Sequence, residues 1–464
     1  MKIDTHRISE KISRFESMFL SGGFLPYIKI ENNDVAQWSN QQKDRVFFKE
    51  AEKLASAYFP KDCDEYFMAI ALLLSHSNIS AASPNPSVGA VITLNNQILS
   101  WGVTEEYGKR HAEAVAIGKL TALGKQSDIK KLSESQKENL TVYVTLEPCS
   151  HFGKQPPCLD ALAKLKPARA VISIEDPDPK MSGSSIEKLK SMGIETRLGV
   201  LAHCTSLLLG PFLKNKVSNS TFIAAKWAQS LDGCLADNWN HSQWISGPEA
   251  RRYSHWLRYR YDAIIIGAGT ALHDKPSLNI RENFQVSNPG DGPIRMIFDP
   301  VGSTITSTET KTLFSKFCGS SAPSFVLTKK LDVLKERKAK SLEKDYPNLK
   351  IVSALSVKSP LSDFFSTLHS KDFAKKLGLE KTIGSCLVEG GPRLLSEVFS
   401  SVKVDQFHIF LAPIFLGGKN NIIQNRGFFP LKLHEKYQLS FTNTVRLGKD
   451  LLVEPKERDP ETSK

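Results

Sequence analysis

No apolar run in this sequence is long enough to cross a bilayer. The longest, Phe67 to Leu74, falls far short of the roughly 20 residues a spanning helix needs, so no membrane association is expected. The opening MKIDTHRISEKISRF mixes both charges and lacks an apolar stretch, which argues against a secretory signal; Asp4 and Glu10 argue against an organelle transit peptide, where acidic residues are scarce. Cysteine is sparse and scattered, with seven in 464 residues: Cys63, Cys149, Cys158, Cys204, Cys234, Cys318 and Cys386. An odd set of this kind is not a disulfide framework and fits free thiols or metal ligands in a reducing compartment. There is no internal repeat and no low-complexity tract. From these absences a soluble, cytoplasmic chain is expected.

What is present is ordinary globular material, 41% hydrophobic and 24% charged, enough for two or three domains that each bury a core. Lys and Arg outnumber Asp and Glu by 61 to 49, a net charge of +12. The basic residues are spread along the chain, and the densest run, KKLDVLKERKAKSLEKDYPNLK, is interleaved with acids. That distribution suits small phosphorylated ligands better than the continuous basic face a polynucleotide requires.

Residues 1–63 read as an N-terminal extension of unknown role, polar, with an Asn- and Gln-rich patch at Glu31–Gln42 and an amphipathic helix at Asp44–Tyr58. From Asp64 to about Cys204, helical and strand-like runs alternate: a helix from Asp64 to His76, strands at Ala90–Leu94, Leu140–Leu146 and Ala170–Ile174, and helices from His111, Asp160 and near Ile186. The pattern predicts a layered α/β domain. The stretch Cys204–Thr221 is expected to be a connection. A second α/β domain over 221–452 follows, with strands at Phe222–Trp227, Asp262–Gly267, Ile294–Phe298, Ser324–Thr328, Ser385–Glu389 and Gln406–Ala412, and 453–464 is expected to be a solvated tail.

The chemistry concentrates in RHAEAVAI and TLEPCSHFGKQPPC. His111, Cys149 and Cys158 offer one imidazole and two thiolates, a three-ligand zinc set that leaves the fourth tetrahedral position open for water. Such a metal lowers the pKa of its water from about 15.7 to about 7. Glu113, two residues past His111, is placed to shuttle protons without competing for the metal. Zinc nucleobase deaminases carry H-x-E and P-C-x-x-C; here eight residues, Ser150 to Pro157, separate the cysteines, which puts a polar loop with His151 and Lys154 beside the metal. Three readings follow from these residues: a deaminase of a small molecule, a deaminase of RNA or DNA bases, and a zinc-stabilised scaffold. Glu113 speaks against the scaffold, because a structural site has no use for that carboxylate.

Downstream, KWAQSLDG (226–233), SQWISGPEARRYSHWLR (242–258), IIIGAGTALHDKPSLNIR (264–281) and VEGGPRLLSEV (388–398) stand in order. The last reads as strand, Gly-Gly-Pro, helix, where glycines admit a close ligand and the free N–H groups of a helix start suit phosphate. Lys226 and Glu389 are charges at strand ends next to apolar runs, a pattern that suits either a site or an ordinary rim position.

With PNPSVGAV (84–91), HAE (111–113), VTLEPCSHFGKQPPC (144–158) and DPDPKMSG (176–183), residues 64 to about 200 resemble the deaminase domain of the bifunctional riboflavin-biosynthesis deaminase–reductases. Residues 221 to about 450 resemble the reductase half of the same family. The resemblance implies a cytidine-deaminase-like domain followed by a dihydrofolate-reductase-like domain, one zinc ion, and NADPH. The implied reaction is hydrolytic deamination of a diaminopyrimidinone carrying a ribosylamino 5′-phosphate, then reduction of its ribose to a ribityl chain. Asn85, His151, Lys154 and Asp176 would hold the deaminase substrate. Ala228, Trp244, Thr270, Asp274 and the run Gly391, Pro392, Arg393, Leu394, Leu395, Ser396 and Glu397 would contact the dinucleotide. Lys226, Ser242, Arg258, Leu278, Arg281 and Glu389 would contact the reductase substrate, Arg258 and Arg281 through a guanidinium fork that matches phosphate oxygens. The chain departs from the family at Lys275 and Pro300, where Asp and Ser are usual, and keeps Asp274. The expected partners are the small phosphorylated aminopyrimidine and further copies of the chain in a homo-oligomer, with no nucleic acid.

Overall fold

The computed structural model describes residues 5–20, 40–122, 138–179, 181–239, 241, 244–280, 292–356, 358, 360–417 and 439–457. They form two compact units, one ending at Ser218 and the other beginning at Asn219.

The first unit is built on a five-stranded sheet of β1 (Gly89–Leu94), β2 (Gln97–Val103), β3 (Leu140–Leu146), β4 (Arg169–Ile174) and β5 (Glu195–Leu198), in the order β2-β1-β3-β4-β5. β1 pairs antiparallel with β2 and β3, and β3, β4 and β5 run parallel. Every residue of β3 is buried, as expected of a central strand covered on both faces. The extension belongs to this unit. Helix α1 (Thr5–Leu20) places Phe15 against Tyr58 and Phe59, and Phe19 edge-on to His76, with ring centroids 5.6, 5.2 and 4.7 Å apart. Helix α2 (Asn40–Tyr58) stacks Phe48 on Trp101 at 5.4 Å. Helix α3 (Asp64–Ser75), buried along its whole length, packs against α2 as well as against β1 and β3. Phe15, Phe19, Phe47 and Phe59 are thus core material.

Two glycines bring helices onto the sheet. A Cβ at Gly89 would overlap the carbonyl of Ala71 in α3, and one at Gly102 would lie 2.6 Å from the backbone nitrogen of Ala116 in α4 (Ala112–Ala122). Gly102 therefore lets the start of α4 lie flat on β2. The unit continues through α5 (Cys158–Leu165) and α6 (Ser184–Ser191). The stretch expected as a bare connection is helical instead, as α7 (Ala202–Leu208) and α8 (Gly210–Ser218). Pro211 sits in the first turn of α8, where its missing N–H costs nothing.

The second unit holds a nine-stranded sheet in the order β10-β9-β8-β7-β11-β6-β12-β14-β13. Its strands are β6 (Phe222–Ser230), β7 (Ala263–Gly267), β8 (Ile294–Phe298), β9 (Ser324–Thr328), β10 (Leu349–Ser353), β11 (Ser385–Glu389), β12 (Gln406–Ala412), β13 (Leu439–Leu447) and β14 (Asp450–Glu457). All neighbours from β10 to β12 are parallel, and β14 and β13 close one edge antiparallel. Met296, Phe325, Phe364, Val388, Leu395 and Phe407 belong to one apolar core. Helices α9 (Pro248–Arg260), α10 (Ala268–Asp274) and α11 (Pro392–Ser401) matter for the site.

Residues 453–457, expected as the start of a solvated tail, belong instead to β14. Val453 pairs with Ile409 and Thr444, and Glu454, buried, accepts from His408 Nδ1 at 2.5 Å, while the other ring nitrogen of His408 meets the Tyr261 hydroxyl at 2.8 Å. A carboxylate that read as solvated in a charged run is paired inside the sheet.

Candidate functional sites

His111 directly precedes α4, and its carbonyl accepts the Val115 N–H at 3.0 Å. Cys149 lies just past β3, and Cys158 is the first residue of α5. The His111 Nδ1 is 3.5 Å from the Cys149 sulfur and 3.4 Å from the Cys158 sulfur, and all three ligand atoms lie within 4.8 Å of one another. Bonds of about 2.3 Å to sulfur and about 2.0 Å to nitrogen at tetrahedral angles give ligand separations of roughly 3.5–3.8 Å, so the triangle fits zinc. The roots of the long loop are stitched together: the Cys158 N–H donates to the Cys149 sulfur at 3.3 Å, and the Leu159 N–H donates to the Cys149 carbonyl at 3.2 Å. Hydrogen bonding from Cys158 and from His111 lowers the Cys149 thiol against the opposing effect of burial, and the same pairing, with burial, raises the Cys158 thiol. A thiolate there is ready for a cation. Glu113 is 4% exposed, and burial pushes its carboxyl above the usual range.

The other deaminase residues spread around this centre. Asn85 is half-buried in the turn ahead of β1. His151 and Lys154 are exposed on the inter-cysteine loop, whose conformation is held by the Lys154 ammonium over the Tyr107 ring (3.8 Å) and by Gln155 donating to the Gly108 carbonyl (2.9 Å). Asp176 follows β4 and accepts the Asp178 N–H at 2.9 Å; burial raises its carboxyl.

The second unit carries a cleft of about 1150 Å³ along the carboxyl ends of β7, β8 and β11, the usual place for a ligand in a parallel sheet. Lys226, Ala228, Trp244, Arg258, Thr270, Asp274, Leu278, Glu389, Gly391, Pro392, Arg393, Leu394 and Glu397 all line it. Ser242 and Arg281 lie outside the described residues. Leu395 and Ser396 do not line the cleft: Leu395 is fully buried in the apolar core and Ser396 is buried on the same helix. The helical period turns these two away from the face that Arg393, Leu394 and Glu397 present.

Gly267 and Gly391 cap α10 and α11 after neighbouring parallel strands, and the Gly391 N–H donates to Thr270 Oγ1 at 3.2 Å. A Cβ at Gly390 would come within 3.1 Å of Leu394, and one at Gly391 within 3.2 Å of Thr270 Oγ1. A tight glycine cradle at a helix start fits a dinucleotide's phosphates.

Arg258 differs from expectation. Its fork is already filled by Glu389, Nε to Oε1 at 2.8 Å and Nη2 to Oε2 at 2.9 Å, and its Nη1 donates to the Asn279 carbonyl at 3.3 Å. It clamps a carboxylate and has no fork left for phosphate. Lys226, paired in register with Glu389, holds its ammonium 3.9 Å from the same carboxylate. Burial lowers the Lys226 ammonium, Glu389 opposing. Burial works to raise Glu389, but Arg258 and Lys226 prevail and hold it at about 2.

Arg251 and His255 also line the cleft and escaped the sequence reading. With Arg258 they repeat at helical spacing along α9, and that period was the available signal.

Comparison with known proteins is consistent across the chain. A family model described as the RibD C-terminal domain matches residues 221–453, and one described as the cytidine and deoxycytidylate deaminase zinc-binding region matches residues 61–174. The chain is similar to the riboflavin biosynthesis protein RibD of Aquifex aeolicus, with 31% identity over 85% of this chain and 98% of that protein. It is likewise similar to RibD of Escherichia coli strain K12, with 30% identity over 84% of this chain and 98% of that protein. Among solved structures it is similar to a diaminohydroxyphosphoribosylaminopyrimidine deaminase/5-amino-6-(5-phosphoribosylamino)uracil reductase from Thermotoga maritima, at a TM-score of 0.68 and 27% identity over 85% of this chain and 98% of that one.

Proposed function

The chain belongs to the RibD family of bifunctional riboflavin-biosynthesis enzymes, and on that footing we propose how its residues divide a deamination and the reduction that follows. The protein is a zinc-dependent deaminase joined to an NADPH-dependent reductase. Its substrate is a diaminopyrimidinone bearing a ribosylamino 5′-phosphate, and the deaminated product is the substrate of the second step.

In the first unit His111, Cys149 and Cys158 would hold zinc. When bound, the ion supplies a water acidic enough to attack near neutral pH. Glu113, buried beside the ligand atoms, would accept a proton as the C–O bond forms at the ring carbon and deliver it to the exocyclic amine, whose C–N bond then breaks to release ammonia. Asn85 holds the pyrimidine, Asp176 completes the rim, and His151 and Lys154 meet the phosphate or ribose.

In the second unit the ribose opens to expose an aldehyde-like C1, to which NADPH supplies hydride. C1 keeps its bond to nitrogen and takes the hydride as C1=N, and Lys226 stabilises the charge on the ring oxygen released as the ribose opens, an effect strengthened by its burial. Glu389 orients Lys226, and Arg258 holds Glu389 ionised and in place. Ala228, Trp244, Thr270, Asp274 and the start of α11 hold the dinucleotide. Arg281, Ser242 and Leu278 hold the phosphorylated substrate. The enzyme is cytoplasmic, in keeping with free thiols at all seven cysteines; it self-associates and binds no nucleic acid.

The observation that carries this reading is the His111–Cys149–Cys158 triangle with buried Glu113 beside it. A coupled assay tests it: the purified chain, given the aminopyrimidine phosphate and NADPH, releases about one ammonia per substrate and oxidises about one NADPH, and contains zinc. Ammonia release without NADPH oxidation would remove the reductase half of the reading, and absence of both would remove the whole.

A further inference from the structure

One buried charge beside the metal loop has no part in the chemistry above. Glu147, 4% exposed, follows β3 two residues ahead of Cys149. Its carboxylate accepts three backbone N–H groups: those of Asp176 at 3.1 Å and Gly183 at 2.9 Å on Oε2, and that of Ser185 at 2.9 Å on Oε1. All three belong to the segment that leaves β4 and enters α6. Three further bonds bind the same two segments. The Glu147 N–H donates to the Ile174 carbonyl at 2.9 Å, the Ser185 hydroxyl donates to the Pro148 carbonyl at 2.5 Å, and the Ser150 and Ser184 hydroxyls meet at 3.2 Å. Charge-assisted bonds from backbone donors to an ionised acceptor are about twice as strong as neutral ones. At a buried site they also satisfy donors that would otherwise be costly. Gly183 contributes to the geometry: at φ 75° it takes the left-handed turn that glycine adopts without penalty.

We infer that Glu147 is a positioning residue for the deaminase substrate. It ties the segment bearing Asp176 to the cysteine loop and so sets the distance between the pocket's rim and the metal. A carboxylate with a purely structural task could bind anywhere along the two segments. This one takes the main-chain N–H of Asp176 itself, while its own chain runs directly into the ligand Cys149. Glu147 touches neither metal ligands nor substrate, so it acts on how the substrate is held and not on the hydrolytic step.

The inference rests on Asp176 contacting the substrate, and the test separates the two. In the full-length, zinc-loaded enzyme, Glu147→Gln, Asp176→Ala and the double variant are compared for zinc content, KM and kcat of ammonia release, with the reductase reaction as an internal control of folding. The side-chain amide introduced by Glu147→Gln would present N–H groups to N–H groups. That substitution is therefore expected to raise KM about ten-fold or more with kcat within about three-fold, zinc retained and the reductase unchanged. In the Asp176→Ala background the same change is expected to add little, because Asp176 is the group it places. An unchanged KM in Asp176→Ala overturns the reading of Asp176. A raised KM there with an unchanged KM in Glu147→Gln overturns the inference alone, as does a loss confined to kcat or to zinc. If Glu147→Gln yields no folded protein, Glu147→Asp, which keeps the charge but shortens its reach, is read in its place; it should raise KM several-fold, and an unchanged KM in it also overturns the inference.

Discussion

The two sites solve binding in opposite ways. The metal site draws its ligands from two short motifs at the roots of secondary-structure elements, and the sulfur of one cysteine accepts the backbone N–H of the other. Three soft donors at tetrahedral spacing specify a cation wherever they are brought together. The cleft gathers its groups from β6, β7, β8 and β11, from α9, α10 and α11, and from glycines whose contribution is empty space. Its charges are compensated across 131 residues of chain, from Arg258 to Glu389. A compact chemical signature suffices for the first site, whereas the second depends on the assembled sheet.

The contrast can be broken hardest at Glu113. Glu113→Gln keeps the ligand triangle and removes the proton carrier, and ammonia release should fall by about 10³-fold or more with zinc content and NADPH oxidation unchanged. A metal analysis and the two half-assays on one preparation check this. In the cleft, Lys226→Met should slow hydride transfer by about 10²–10³-fold without changing ammonia release, measured by single-turnover NADPH oxidation. A pH profile sharpens the same point. Lys226 acts protonated, and burial has already lowered its ammonium, so reduction is lost as pH rises through that pKa. Removing the counter-charge in Glu389→Gln lowers it further, and the alkaline limb should move to lower pH while the deaminase profile stays where it was. The smallest effect is expected from Gly391→Ala, whose Cβ needs Thr270 Oγ1 to yield a few tenths of an ångström. NADPH binding, read by fluorescence titration, should weaken several-fold.

Legibility in the sequence follows the same division. β3, β8, β9, β11 and β12 coincide with apolar runs read directly, because interior strands of parallel sheets are continuously hydrophobic. β10, β13 and β14 did not stand out: Lys350 interrupts the first, polar residues break up the second, and the third runs from Leu451–Val453 into the charged EPKE. A packing or regulatory role for the extension was legible, but its partners were not, because Phe15, Phe19 and Phe48 meet Phe59, His76 and Trp101 only once the unit has folded. His111, Glu113, Cys149 and Cys158 were visible through spacing and chemistry. The clamp of Arg258 on Glu389 was not, since a guanidinium fork fits carboxylate and phosphate equally well and only the fold decides which it meets. Glu147 was passed over for a related reason: its partners are main-chain N–H groups, which leave no mark on residue type.

The stitching of Cys149 to Cys158 and Leu159 has a consequence for how such an enzyme can change. The Cys149 sulfur and carbonyl are anchored by the first two N–H groups of α5, at the base of the intervening eight residues, so the placing of the ligands does not draw on the tip of that loop. Its length and side chains can be rewritten to admit a different phosphorylated amine while the hydrolytic machinery underneath is inherited intact.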